Sequence, residues 1–273
     1  MRIAGIALAL VASLAVIAPF DSRVLAQGKP AGDRPSLRTM SYVLVDARTQ
    51  QVLDAQWDDL ERPLPLGSLI KPFTALAYGD THQLTYPTLT CRGSADQCWL
   101  PSGHGHVDLA DAIGVSCNAY FRQLASRIAP DALVAQLQRF GMRADAAVLT
   151  PTAMVGLGDT LQLSPASIVR GYLELVSRRG QSGVSQVVQG MVTSARTGSG
   201  KAVGAALGHT DALVKTGTAP CRHSPRAAAD GYTIALYPAD RPRVALLVQA
   251  HGHTGAETAA FAGELLKGAV VVR

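Results

Sequence analysis

Short apolar runs bounded by turn residues lie at both ends of the chain, and helical spacing of apolar residues dominates between them. The strands predicted from this pattern cover residues 42–46, 51–53, 211–218, 231–237 and 243–250. The predicted helices cover residues 69–78, 118–128, 131–139, 164–178 and 256–267. This order predicts an α+β fold, in which both chain ends build one antiparallel sheet flanked by helices and the middle forms an all-α lobe.

The first residues have the pattern of a targeting segment. Arg2 precedes an apolar run from Ile3 to Phe20, and a polar stretch ends in Val24-Leu25-Ala26. This order is typical of a secretory signal, residues 1–26, cleaved after Ala26, with an uncleaved membrane anchor as the alternative. We therefore expect an exported protein, in the periplasm or on the outer face of the cytoplasmic membrane.

The rest of the chain has room for one domain. Residues 27–40 are rich in Gly, Pro, Asp and Ser and predict a linker, which leaves residues 41–273 for a single domain. Hydrophobic residues make up 48% of the chain and charged residues 16%, which excludes a disordered chain. The net charge of +5 comes from scattered basic residues without a stripe, so we expect no nucleic-acid partner.

Candidate chemistry begins at Ser68 and Lys71, which are three residues apart on a predicted helical turn. This spacing puts the amine within reach of the hydroxyl, so the lysine can act as the base for a serine nucleophile. A lysine is a base only when it is neutral, and burial among apolar neighbours favours the neutral form. Taken alone, the pair is also compatible with an ordinary helix start.

Two further motifs strengthen this interpretation. Ser116-Cys117-Asn118 contains the only Asn of the chain, and the segment Lys215-Thr216-Gly217-Thr218 ends a predicted strand. Ser116 can pass a proton to a leaving nitrogen, and Asn118 can hold a substrate amide. The second cation, Lys215, favours a neutral Lys71. In the same segment, Gly217 allows a close backbone approach, and the threonine hydroxyls suit a substrate carboxylate.

The three motifs, in this order, resemble those of the penicillin-binding protein and serine β-lactamase superfamily, and the match extends from about Tyr42 to Leu266. The resemblance implies a β-lactamase/transpeptidase-like fold and a D,D-transpeptidase or D,D-carboxypeptidase that needs no cofactor. Its substrates would be peptidoglycan stem peptides, its inhibitors β-lactams, and other cell-wall proteins would be candidate partners. It also implies the following roles: Ser68 as nucleophile, Lys71 as base, Ser116 as third catalytic residue, Asn118, Lys215, Thr216, Gly217 and Thr218 in substrate binding, and the backbone amides of Ser68 and Thr218 as the oxyanion hole.

Departures of this chain from the superfamily motifs indicate which kind of member it resembles. No Glu occurs between residues 62 and 173, which removes the deacylating glutamate of the commonest serine β-lactamases. The oxacillin-hydrolysing β-lactamases have similar motif spacing and a carboxylated lysine, but usually carry Val or Ile where this chain has Asn118. A β-lactam or muropeptide sensing module is the alternative outside enzymes. We predict a penicillin-binding serine acyltransferase.

The cysteines are candidates for disulfides and the histidines for metal binding. Export would allow disulfides, and Cys91 and Cys98, close together in a turn-rich segment, are the predicted pair. The partners of Cys117 and Cys221 stay open. The pairs His104/His106 and His251/His253 lack further ligands at metal-binding spacing, so we expect no metal site.

Overall fold

A five-stranded antiparallel sheet forms the centre of the computed structural model, which describes residues 40–221 and 229–271. In chain order the strands are β1 (Met40–Asp46), β2 (Val52–Gln56), β3 (Leu89–Cys91), β4 (Gly105–Val107), β5 (Leu213–Ala219), β6 (Asp230–Tyr237) and β7 (Val244–His251). The order within the large sheet is β2-β1-β7-β6-β5, and β3 pairs with β4 separately. Both chain ends therefore build one sheet, which confirms the predicted fold class.

The inner strands are buried on both faces. Ile234 of β6 lies opposite Leu247 of β7, and the next pair along, Ala235 and Leu246, belongs to the apolar cluster on the other face of the sheet. Helices cover both faces, so these strands read as nearly continuous apolar runs rather than as alternating ones. Strand β5 lies at one edge of the sheet, and this position leaves it available to line a cleft.

Helices make up most of the middle of the chain, and one further helix follows the last strand. They are α1 (Lys71–Thr81), α2 (Leu109–Gly114), α3 (Asn118–Ala125), α4 (Pro130–Arg139), α5 (Pro151–Met154), α6 (Pro165–Ser177), α7 (Val184–Arg196), α8 (Lys201–Ala206) and α9 (Gly255–Val271). All five predicted helices are present, with ends that differ by a few residues. The individual helices α2, α5, α7 and α8 and the β3/β4 ladder were not predicted.

Local capping explains two of the helix starts. The Ser164 hydroxyl accepts a hydrogen bond from the Ser167 amide at 3.1 Å and caps α6 ahead of Pro165, at the first residue of the predicted helix 164–178. The Asp108 carboxylate accepts from the Asp111 amide at 2.9 Å and caps α2. The second of these caps fixes the helix that leads directly into Ser116.

A short 3₁₀ helix, Gly67–Ile70, precedes α1 and packs against β5. Gly67 has a φ of +58°, and a Cβ there would lie 2.4 Å from the carbonyl oxygen of Thr218. A Cβ at Gly217 would lie 2.4 Å from the carbonyl oxygen of Leu66. These two glycines let two backbones come together, and this contact holds the first motif against the third.

The predicted signal, residues 1–26, lies outside the described residues, as does the predicted linker apart from its last residue. That residue, Met40, is the first of β1. Within the part of the chain that the structure describes, we find no helix with the length and apolarity needed to cross a membrane.

Candidate active site

The first motif lies at the junction of the 3₁₀ helix and α1. Ser68 is in the 3₁₀ turn and Lys71 is the first residue of α1, where its side chain is fully buried. The Lys71 amine is directed to the second motif, where it donates to the Ser116 carbonyl at 2.8 Å and to Asn118 Oδ1 at 2.6 Å. Among residues 40–221 and 229–269, no partner hydrogen-bonds to the Ser68 hydroxyl, so it is available to a substrate.

Ser116 is the meeting point of the three motifs. Its hydroxyl lies 3.2 Å from Lys71 Nζ and 2.9 Å from Lys215 Nζ, so one hydroxyl accepts from two buried amines. The residue has a φ of +55°, an uncommon conformation for a side chain other than glycine. Hydrogen bonds to its carbonyl and hydroxyl stabilise this conformation, which puts the hydroxyl between the two lysines.

Burial changes the charge of both amines. Burial is the main cause and the nearby Arg122 a minor one, and together they lower the pKa of Lys71 to about 7. Burial also lowers the pKa of Lys215 well below its usual range, and the charge of Lys71 acts in the same direction. In the described part of the chain, no carboxylate lies within ion-pair distance of either amine. Desolvation without a counter-ion is what produces a neutral lysine, the form that accepts a proton.

The third motif lies on the edge strand β5. Lys215 is fully buried and also donates to the Thr216 carbonyl at 2.7 Å. The Thr216 hydroxyl lies 2.6 Å from the Ser199 hydroxyl, and the Thr218 hydroxyl accepts from the Gly255 amide at 2.9 Å. The threonine hydroxyls predicted for a substrate carboxylate are therefore both engaged within the protein.

The two amides predicted for an oxyanion hole belong to backbones that approach each other closely. A Cβ at Gly67, the residue before Ser68, would lie 2.8 Å from the Thr218 nitrogen. Donors from a turn and from an edge strand can converge in this way on one oxygen atom, the arrangement that stabilises a tetrahedral oxyanion. Tertiary contact between the 3₁₀ helix and β5 brings these groups together, although 150 residues separate them in the sequence.

A second polar cluster lies directly behind Ser116. It consists of Cys91 at the end of β3, Cys98, His104 and Cys117, and one ligand atom from each lies within 4.8 Å of the others. His104 Nδ1 lies 3.6 Å from Cys91 Sγ and 3.5 Å from Cys98 Sγ, and Cys98 Sγ lies 3.9 Å from Cys117 Sγ. Cys117 is the N-cap residue of α3, between two residues of the second motif.

This thiol cluster differs from the disulfide predicted between Cys91 and Cys98. All four cysteines of the chain are free thiols in the structure. Three of them converge on His104 from separate segments, a grouping that the spacing of the first two cysteines did not reveal. His104 is two residues from His106 in the sequence, but in the fold it joins the three cysteines.

The cluster has the dimensions of a tetrahedral metal site. Zinc bonds near 2.3 Å to sulfur and 2.0–2.1 Å to nitrogen give ligand separations of about 3.8 Å between two sulfurs and about 3.6 Å between sulfur and nitrogen. The observed 3.9 Å and 3.5–3.6 Å agree with these values. A smaller group, Cys221, Asp230 and His251, brings three ligand atoms within 4.8 Å.

Two residues beside the motifs were not predicted from the sequence. Ser199, the partner of Thr216, lies in the Gly-Ser-Gly segment before α8. Trp99 follows Cys98 and donates from its indole to the carbonyls of Val115 and Ser116, each at 3.2 Å. The sequence features that could have indicated these two residues were the Gly-Ser-Gly turn around Ser199 and the presence of a tryptophan, Trp99, in a polar loop.

Comparison with known proteins identifies the class that this fold and site define. The penicillin binding protein transpeptidase domain matches residues 40–268, and the chain belongs to this family. A curated relative, the peptidoglycan D,D-transpeptidase MrdA of Haemophilus influenzae, is 29% identical over 150 residues. The alignment covers 47% of the chain and only 22% of MrdA, so the chain matches a limited part of that relative.

Solved structures show the same fold. PBP2 of Pseudomonas aeruginosa, solved in complex with WCK 5153, has a TM-score of 0.69 at 20% identity. The superposition covers 84% of this chain and 70% of the PBP2 chain, and coverages are given in the same order below. The D,D-transpeptidase domain of a peptidoglycan glycosyltransferase from Eggerthella lenta has a TM-score of 0.69 at 17% identity, with coverages of 87% and 79%. The transpeptidase domain of penicillin-binding protein 3 from Burkholderia pseudomallei has a TM-score of 0.67 at 15% identity, with coverages of 86% and 89%.

Proposed function

We propose that the chain is a penicillin-binding serine acyltransferase acting on peptidoglycan stem peptides that end in D-Ala-D-Ala. The observation that carries this proposal is the Ser116 hydroxyl between two buried amines, one of them with a pKa of about 7. An amine that is partly neutral near pH 7 serves as a general base, and a shared hydroxyl can relay a proton. Membership of the transpeptidase family supports the same substrate class.

The proposed reaction proceeds in two displacements. Neutral Lys71 takes the proton of the Ser68 hydroxyl while the oxygen attacks the carbonyl carbon between the two D-alanines. The oxyanion is stabilised by the amides of Ser68 and Thr218, and the carbon–nitrogen bond breaks as Ser116 delivers a proton to the leaving amine. The Ser68 ester then transfers its acyl group to an amine, as a transpeptidase, or to water, as a carboxypeptidase.

The surroundings of Lys71 favour this reading over an oxacillin-hydrolysing β-lactamase. Carboxylation would convert the amine into an anionic carbamate. The Lys71 nitrogen faces the Ser116 carbonyl and Asn118 Oδ1, both hydrogen-bond acceptors. Acceptors stabilise an ammonium or an amine and repel the oxygens of a carbamate, so the site suits an uncarboxylated lysine.

Location and partners follow from the proposed substrate. Peptidoglycan lies outside the cytoplasmic membrane, so we propose that the enzyme acts there, in line with the export expected from residues 1–26. β-Lactams would acylate Ser68, because they mimic the stem peptide. Other cell-wall proteins remain proposed partners; PBP2 of Helicobacter pylori has been solved in complex with MreC.

A fluorescent penicillin tests the proposal. We expect a stable covalent label on the wild-type chain, no label on Ser68→Ala, and full label on Ser182→Ala, a matched variant at an exposed serine. Rapid loss of the label with release of hydrolysed penicillin would instead identify a β-lactamase. No adduct on the wild type would contradict both enzymes and favour a module that only binds its ligand.

We also propose that the thiol cluster holds a structural Zn²⁺ ion, in place of the expectation of no metal. Three cysteines and one histidine form a complete tetrahedral ligand set with no position left for water, as in structural zinc sites. The cluster would hold the β3/β4 segment and the N-terminus of α3 together. In doing so it would position Ser116 and Asn118 from behind the cleft, without taking part in the reaction.

Metal analysis of the purified chain tests this second proposal. We expect about one zinc per chain, as in a closed four-ligand site. The Cys98→Ser variant should lose most of this zinc, whereas Cys221→Ser, outside the cluster, should retain it. Equal zinc content in the two variants would place the metal elsewhere, and a wild-type chain free of zinc after expression in zinc-supplemented medium would contradict the site.

A further inference from the structure

Trp99 is the one large apolar side chain that is mainly exposed in the part of the chain that the structure describes, with 52% of its surface accessible. A single exposed aromatic residue is common on protein surfaces and needs no explanation by itself. Trp99 differs from such a residue in its position and its anchoring. It follows the proposed zinc ligand Cys98 and lies against the second catalytic motif.

Hydrogen bonds and a ring contact define the orientation of the indole. Its N–H donates to the carbonyls of Val115 and Ser116, and its ring meets His104 edge to face, with 5.2 Å between ring centroids. The only polar group of the side chain is therefore used within the protein. What remains exposed is an apolar, planar surface held in one orientation.

This surface adjoins the reacting groups. The Ser116 carbonyl that accepts from the indole also accepts from Lys71 Nζ, at 2.8 Å. The indole and the proposed base are thus neighbours across one oxygen atom, and the Ser116 hydroxyl belongs to the same residue. A ligand that takes a proton from Ser116 in the proposed reaction would therefore lie beside the indole.

We propose that Trp99 is a specificity-determining wall of the acyl-donor site, contacting an apolar or aromatic substituent beside the scissile amide. Rigid aromatic side chains are effective binding anchors, because they offer a large contact area and lose little conformational freedom on binding. The proposal rests on the Ser68 acylation proposed above. It adds the prediction that acyl donors with an apolar planar side chain react faster than donors without one.

Two penicillins that differ only in this side chain provide the test. Benzylpenicillin carries a phenylacetyl group, whereas 6-aminopenicillanic acid has the same bicyclic core with a free amine. For Trp99→Ala we expect the second-order acylation rate of benzylpenicillin to fall about 10-fold, the size of one aromatic contact. The rate for 6-aminopenicillanic acid should change less than about 2-fold, because that compound makes no such contact. Trp99→Phe, which keeps an aromatic face but loses the N–H, should retain most of the preference for benzylpenicillin.

A purely structural role gives a different pattern. If Trp99 only positioned Ser116 through its hydrogen bonds, Trp99→Ala and Trp99→Phe would slow both penicillins equally. That result would overturn the proposal, as would an unchanged benzylpenicillin rate in Trp99→Ala. The ratio of the two rates is therefore the deciding quantity, because damage to the catalytic groups cancels in it.

A measurement of Trp99 fluorescence tests the proposed wall separately from the proposed acylation of Ser68. The chain contains two tryptophans, so Trp57→Phe leaves Trp99 as the sole indole emitter. In a Trp57→Phe/Ser68→Ala chain, which cannot form an ester at residue 68, we expect benzylpenicillin to change the Trp99 emission more strongly than 6-aminopenicillanic acid. If the wild type is not acylated, the proposed function fails, and an emission change still supports the wall. No emission change with either compound overturns the wall.

Discussion

Ser116 and Cys117 are neighbours in the chain, yet their side chains enter two different buried polar sites. In the cleft, two amines share the Ser116 hydroxyl. Behind it, Cys117 joins two other thiols and His104. The two amines would carry the same charge when ionised, as would the three thiols, and within the described residues no carboxylate lies within ion-pair distance of either amine.

The two sites resolve the same electrostatic conflict differently. In the cleft, burial lowers the pKa of Lys71 to about 7, and a neutral amine is what the proposed reaction needs. In the cluster, burial raises the pKa of the Cys117 thiol to about 12. A divalent cation would remove that conflict by binding the deprotonated thiols. Like charges in a buried interior thus favour the proposed base in one place and the proposed metal site in the other.

Removal of the Lys71 amine should have the largest effect, and it tests the cleft side of this comparison. We expect Lys71→Met to lower the rate of penicillin acylation by ~10³-fold or more, because Lys71 is the base for Ser68 in the proposed reaction. Lys201→Met, at an exposed lysine at the start of α8, should leave the rate unchanged. The measurement is the second-order rate of labelling under pseudo-first-order conditions. A rate within tenfold of wild type for Lys71→Met would exclude Lys71 as the base.

Disruption of the thiol cluster should mainly lower the stability of the fold, because the cluster takes no part in the proposed reaction. We expect Cys117→Ser to lower the melting temperature by about 10 °C, the effect of losing ~3 kcal/mol in a domain of this size. Prolonged treatment of the wild type with a zinc chelator should lower it similarly. Cys221→Ser serves as the matched control.

The chelator distinguishes a metal site from simple packing in this experiment. If zinc holds the cluster, the chelator should have no further effect on Cys117→Ser. If it lowers the melting temperature of wild type and Cys117→Ser equally, the cluster is not the zinc site.

The pH dependence of acylation tests the cleft amine without a mutation. A lysine with a pKa of about 7 is mainly protonated and inactive below that pH and mainly neutral above it. Between pH 6 and pH 8 its neutral fraction rises from about one tenth to about nine tenths, so the rate should rise about tenfold. With an unperturbed lysine as the base, the acylation rate would still be rising steeply above pH 9. A rate that is flat between pH 6 and pH 8 would contradict the lowered pKa.

The smallest expected effect concerns the support of the third motif. Ser199→Ala removes the hydroxyl that lies 2.6 Å from the Thr216 hydroxyl. Loss of one neutral hydrogen bond is worth about 1 kcal/mol, so we expect a fall in acylation rate of about fivefold. The same assay on Ser182→Ala gives the baseline. An unchanged rate would show that Thr216 keeps its position without this partner.

Local chemistry made several elements predictable. Helix α6 could be located from Ser164, Pro165 and the apolar spacing, because capping and periodicity are properties of neighbouring residues. The strands β6 and β7 could be located from continuous apolar runs. Helix α8 and the β3/β4 ladder escaped notice because they are short and have little periodicity of their own.

The site was predictable in its members and less so in its geometry. Residue types and order suggested Ser68, Lys71 and Ser116, but nothing local shows that Lys71 hydrogen-bonds to Asn118 or that the Thr216 hydroxyl faces Ser199. The thiol cluster was missed for the same reason. Cys91 and Cys98 are close in sequence, but Cys117 and His104 reach them only through the packing of α3 against β3.

What the sequence by itself determined was the class of fold, the order of its elements and the residues able to carry acyl-transfer chemistry. Apolar periodicity, caps and short motifs are set within a few residues, and composition sets the size of the core. Only the tertiary structure decided which groups lose water, and burial rather than residue type is the main cause of the lowered pKa of Lys71. It likewise decided that three cysteines meet at one histidine, because contacts between distant segments depend on how the helices and the sheet pack.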